Sequence, residues 1–160
     1  MLSQAGTLVD FGGAREASDS DPIVCAAREF AEETAAMFGA AASRMPFLEN
    51  MDSHSIQRSN EVRVAALEFE KKLQGPGVCH TGENGYHCYL CEVEYIPIDV
   101  LNVTIGSVKD RMCRFLWIDV EAYLAEPTSF PPLFIRLDRQ KAALHAILRQ
   151  LLEEKRELCS

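Results

Sequence analysis

Apolar residues return at helical spacing in some stretches of the chain and alternate with polar ones in others. Ile23, Ala26, Ala27, Phe30 and Met37 recur with a period near 3.6, which predicts an amphipathic helix from Pro22 to about Ala42. Asp21 suits its N-cap, and Pro22 suits the first helical position, where a missing N–H costs nothing. Pro46 marks the stop, and residues 46–60 read as an irregular polar connection. Val62, Ala65, Ala66, Phe69 and Leu73 predict a second helix over Glu61 to Leu73, ended by Gly75-Pro76-Gly77. A loop over His80 to Tyr86 leads into a strand from Tyr86 to Ile96 and a weaker one from Val100 to Ile105.

Further on, Cys113, Phe115, Trp117 and Asp119 alternate with Met112, Arg114, Leu116, Ile118 and Val120. That pattern predicts a strand over Arg111 to Val120, with a short helical turn at Glu121 to Leu124. Phe130-Pro131-Pro132 is a rigid connection, and Leu133 to Leu137 reads as a short strand or extended lead-in. Asp138 can cap a last helix whose stripe is Ala142, Leu144, Ile147, Leu148, Leu151 and Leu152. That helix is expected to pack across the sheet. At the other end, Leu8, Val9 and Phe11 predict a short strand entering the Gly12-Gly13 turn.

Size and charge narrow the classes. At 160 residues with 48% hydrophobic content, one domain over 1–160 is expected, with a sizeable core. A net charge of −8 excludes a general basic surface for nucleic acid. A phosphorylated substrate stays compatible with it, because a bound cation can reverse the local potential. No run of 18 or more apolar residues predicts a membrane span, and no cleavable signal peptide is visible. Six cysteines are therefore read as mostly reduced thiols of an intracellular protein, with the cytoplasm as the expected compartment and the nucleus or mitochondrion as alternatives. Cys88 and Cys91 form a C-x-x-C, but on a strand residues three apart face opposite ways, which argues against zinc. His54 is read as a surface residue, and Glu92, Glu94 and Asp99 as solvated edge positions.

Glu29, Glu32 and Glu33 carry the candidate chemistry. Spacings of three and four bring them onto one stripe of the first helix. Glutamates on a helix commonly form its wet face, yet like charges so spaced repel one another. A divalent cation among them would relieve that, and Mg²⁺ or Mn²⁺ favours such oxygen ligands. Arg28 could orient a neighbouring carboxylate, and Glu16 could fold back from the loop.

The run from Gly12 to Thr34 resembles the signature box of the Nudix hydrolase superfamily: a glycine pair, a Glu three residues on, a further acidic residue, then Arg-Glu-x-x-Glu-Glu on a helix. Gly12, Gly13, Glu16, Arg28, Glu29, Glu32, Glu33 and Thr34 fall on it. One extra residue lies between Gly13 and Arg28, so the middle acidic position is Asp19 or, by a looser match, Asp21. The glycine usual after Thr34 is replaced by Ala35 or Ala36. Residues 86–152 resemble the later part of that fold more loosely.

The resemblance implies an α/β fold, an α/β/α sandwich with a mixed sheet. Strands that normally precede the box lack a counterpart, so the expectation is either a sheet shortened at the N-terminus or one whose missing part, and exposed edge, is supplied by another segment or a partner chain. A helical insertion is expected around 46–77. Implied further are Mg²⁺ or Mn²⁺ on Glu29, Glu32 and Glu33, supported by Glu16, with catalysis by those three helix glutamates. Arg28, Gly12 and Gly13 would be structural, and Asp110 would be a supporting acidic residue. Trp117 belongs in the core on this view. The implied activity is hydrolysis of a phosphoanhydride in a nucleoside diphosphate linked to another group, with a capped RNA end among the candidates. A catalytically inactive Nudix-like scaffold or binding module is the alternative.

Overall fold

The computed structural model describes residues 2–4, 6–39, 51–74, 78–81, 85–106 and 114–158. It is a mixed α/β protein whose chain packs as two compact units. Met1–Asp10 with Met112–Ser160 makes one, and Phe11–Arg111 the other.

The second unit holds the candidate chemistry. Helix α1 (Pro22–Glu33) starts as the sequence predicts. Asp21 is extended at its N-cap, and its Oδ1 accepts from the N–H groups of Ile23 (2.8 Å) and Val24 (3.0 Å). Helix α2 (Met51–Leu73) lies against it. Small residues set that closeness: Ala27, Ala31, Ala36 and Ala65 are buried together with Phe69. A methyl group added at Gly39 would stand 2.8 Å from the Ala65 Cβ. Phe30 meets Phe11 edge-on at 4.9 Å and Phe69 edge-on at 4.7 Å, so the loop before α1 and helix α2 converge on one ring.

Helix α1 ends at Glu33, well short of Ala42. The Thr34 hydroxyl donates to the Phe30 carbonyl (2.6 Å), and Ala35 and Ala36 both take positive φ, 51° and 60°. Two left-handed residues in succession cannot continue a right-handed helix. The Ala36 N–H then closes back onto the Ala31 carbonyl at 2.7 Å.

Strands β3 (Val78–Thr81) and β4 (His87–Leu90) pair antiparallel, with Val78 opposite Leu90 and Thr81 opposite His87. The strand predicted from Tyr86 to Ile96 is thus confined to four residues, and its partner occupies the start of the predicted loop. Helix α3 (Ile98–Gly106) replaces the strand predicted over Val100 to Ile105. Its β-branched residues favour a strand locally, but the Leu101 N–H donates to the Pro97 carbonyl (3.1 Å) and Leu101 is buried. The polar connection predicted for 46–60 is helical from Met51 onward, and residues 40–50 lie outside the described residues.

In the first unit, β1 (Leu2–Gln4) is the centre of a three-stranded antiparallel sheet in the order β2 (Thr7–Val9), β1, β5 (Arg114–Phe115). Leu2 faces both Val9 and Phe115. A β-hairpin therefore precedes the glycine turn. Among the described residues, the strand predicted over Arg111 to Val120 is reduced to two paired residues, which join this hairpin and not residues 86–96. Leu8 is fully buried and pairs with the Leu133 region through Phe134 N–H (2.8 Å) and the Pro132 carbonyl (2.9 Å).

Asp119 caps α4 (Val120–Ala125) by accepting from Ala122 N–H at 2.7 Å. Asp138 does not cap the last helix; it ends α5 (Ile135–Asp138). Helix α6 (Lys141–Leu158) was expected to cover the sheet, yet none of its residues is buried. It touches α4 through His145 Nε2 and the Tyr123 hydroxyl (3.2 Å) and through Arg156 and Glu121 (2.9 Å). Trp117, expected in the core, is 42% exposed.

Candidate functional site

The loop over residues 12–21 folds around one buried carboxylate. Asp19 Oδ2 accepts from the Glu16 N–H at 2.8 Å, and the Asp19 N–H returns to the Glu16 carbonyl at 3.1 Å. This local exchange is typical of a short polar side chain in a turn. Arg28 reaches down from α1 and grips Asp19 with both edges of its fork: Nε to Oδ1 at 3.1 Å and Nη2 to Oδ2 at 3.0 Å. Nη2 also donates to the Ala14 carbonyl at 3.3 Å. The hydrogen bond from Arg28 holds the Asp19 carboxyl down to about 2, against the opposing effect of burial. Asp19 in turn raises the Arg28 pKa.

The remaining nitrogen of that guanidinium faces the acidic residues. Arg28 Nη1 lies 2.9 Å from Glu29 Oε1, 3.3 Å from Glu32 Oε2 and 3.7 Å from Glu16 Oε1. Glu33 is held differently: its Oε2 accepts from the Gly12 N–H at 2.9 Å. Gly12 has φ of 155°, a conformation suited to glycine. The Glu29 carboxylate lies over Gly13, where an added Cβ would make that side chain swing aside. Cys25 Sγ sits 3.9 Å from the Gly13 carbonyl, and burial pushes its thiol pKa up, as for a structural rather than a reactive cysteine.

Glu16, Glu29 and Glu32 are thus gathered at one guanidinium, with Glu33 tied to the glycine bend from the same helix. Among the described residues, no three His, Cys, Asp or Glu side chains are placed so that they could hold a metal ion. Asp110 lies outside the described residues.

No family model, curated protein or solved structure matches this chain.

The two middle acidic residues separate by role. Asp19 binds Arg28 and is buried, whereas Asp21 caps the helix. Periodicity could not distinguish them. The usable signal was the Asp-Pro pair at Asp21-Pro22, which assigns that aspartate to the cap and leaves Asp19 for the arginine. In the C-x-x-C, Cys88 is on β4 and Cys91 follows it, and neither forms a disulfide.

Proposed function

We propose that the chain is a divalent-cation-dependent hydrolase of a phosphoanhydride bond in a nucleoside diphosphate linked to another group, acting inside the cell. The observation that carries this is the Asp19–Arg28 clamp, from which Glu16, Glu29 and Glu32 are gathered beside a glycine bend that itself binds Glu33. The donors suit Mg²⁺ or Mn²⁺ in kind, being carboxylate oxygens on a short stretch of chain. In their present placement they close on Arg28 and do not converge for an ion. Glu29, Glu32 and Glu33 would hold the cation, with Glu16 in support. Such an ion offsets charge on phosphate oxygens and acidifies water.

The chain's own part is orientation. Gly12 N–H fixes Glu33, Gly13 lets Glu29 lie against the loop, and Asp19 fixes Arg28. Glu32 is the most open carboxylate on Arg28 after Glu16, which leaves it accessible to solvent. The finer architecture we propose is a Nudix-like α/β/α sandwich with a mixed sheet, its exposed edge covered by a partner chain. Asp110 is proposed as a supporting acidic residue.

A second assignment has one observation in its favour. A catalytically inactive scaffold or binding module would keep the clamp for structure, and the closure of Glu29 and Glu32 on Arg28 suits it. A screen of nucleoside diphosphate compounds with Mg²⁺ and with Mn²⁺ separates the two. Hydrolysis is expected, reduced roughly 100-fold or more by Glu32→Gln or Glu33→Gln. Turnover untouched by both substitutions would remove the hydrolase mechanism.

A further inference from the structure

Helix α1 stops where its sequence favours continuation. Ala35, Ala36 and Met37 are strong helix formers, and the apolar period runs on through Met37. The backbone instead closes a Schellman turn: the Ala36 N–H returns to the Ala31 carbonyl (2.7 Å) and the Ala35 N–H to the Glu32 carbonyl (3.1 Å). Glycine is the usual residue at the left-handed position of that turn. Here alanine holds it, with φ of 51°, and a second left-handed alanine follows at 60°. The strain is held from outside the turn. Ala35, Ala36 and Met37 are buried, and Ala36 shares a cluster with Ala65 and Phe69 of α2. Gly39 lies on Ala65, so closely that an added Cβ would stand 2.8 Å from the Ala65 Cβ. Phe38 stacks on Phe30 at 5.7 Å. Local preference and tertiary packing therefore pull these residues toward different backbones.

We propose that residues 34–38 are a two-state device: docked on α2 they form the strained turn, and released from α2 they join α1 and lengthen it by about one turn. The docked state is the one described above, kept by the packing of Ala36 and Gly39 against α2. In the released state Ala35 and Ala36 return to right-handed backbone, which relieves both strained positions. Their burial is lost in exchange, and the Ala65 and Phe69 face of α2 is uncovered. Lengthening of α1 and loosening of α2 are then one event, so whatever draws α2 away extends α1. The device involves no ligand.

The test is saturation-transfer NMR at the Cα carbons of Ala35 and Ala36 in the full chain, which reads the backbone of a minor state directly. Wild type is compared with Gly39→Ala and Ala35→Gly, and folding is checked by circular dichroism. In wild type the expected minor state is about 0.1–10% populated, with Cα shifts of right-handed helix at both alanines. Gly39→Ala crowds Ala65 and should raise that population roughly fivefold or more. Ala35→Gly relieves the turn and weakens the longer helix, so it should lower the population roughly tenfold or more. A helical minor state in either of the first two chains, suppressed by Ala35→Gly, supports the device. Flat profiles in both folded chains overturn it, and so does a minor state with coil-like shifts, which is fraying. Should Gly39→Ala not fold, wild type decides alone: a helical minor state supports the device, and its absence overturns it.

Discussion

Asp19 does more for the loop than its size suggests. It accepts the Glu16 N–H, and it holds both edges of the Arg28 fork. Asparagine at this position keeps part of the hydrogen bonding and loses the charge, so Asp19→Asn should lower stability by about 1–3 kcal/mol in denaturant unfolding. The acid dependence follows from the same contact. Arg28 lowers the Asp19 pKa from 3.8 to about 2, so the folded chain binds that proton more weakly than the unfolded one. Its contribution is present above about 3.8 and is lost as pH falls toward about 2. Wild type should therefore lose stability across that interval, and the difference between wild type and Asp19→Asn should shrink there. An unchanged difference would show that Asp19 is not ionised in the fold. At this scale the sequence displayed the acidic residues and Arg28, but not their pairing. The Asp21-Pro22 cap signal removes Asp21 as a partner, but that Arg28 grips Asp19 and only brushes Glu16 depends on how the loop folds.

The end of α1 shows how an element is cut by its backbone. Ala35 and Ala36 hold left-handed conformations that cost alanine on the order of 1–2 kcal/mol each. Ala36 is part of the buried cluster with Ala31, Ala65 and Phe69, so its methyl contributes packing. Ala35 is outside that cluster, and Ala35→Gly should raise stability by about 1 kcal/mol, read as a higher thermal midpoint. A lower midpoint would mean that the Ala35 methyl matters more than its strain. Helix starts were legible because caps are local: Asp21 and Asp119 both bond the N–H groups that follow them. The end of α1 was not legible, because apolar periodicity continues through Met37 while the backbone turns back. The region after β4 failed for a related reason. Val100, Val103 and Ile105 carry strand propensity, yet the segment is helix α3, which tertiary packing of Leu101 favours over local preference.

At the level of the molecule, the two compact units divide the work. Phe11–Arg111 contains the loop, the glutamate helix and its buried support from α2, while the N-terminal hairpin joins the later segment in the other unit. The mixed α/β class was legible from alternating and helical periodicities. The strand partners were not, because pairing joins residues far apart, as Leu2 with Phe115. No helix among the described residues is long and apolar enough to cross a membrane. The proposed hydrolase requires the carboxylates beside the glycine bend to accept a divalent ion in the folded chain. Calorimetric titration of wild type and Glu29→Gln with Mn²⁺ measures that directly. Saturable binding by wild type, weakened at least roughly tenfold in the variant, is the predicted result. Folded wild-type protein that takes up no Mn²⁺, or a variant that binds it as tightly, would contradict the account.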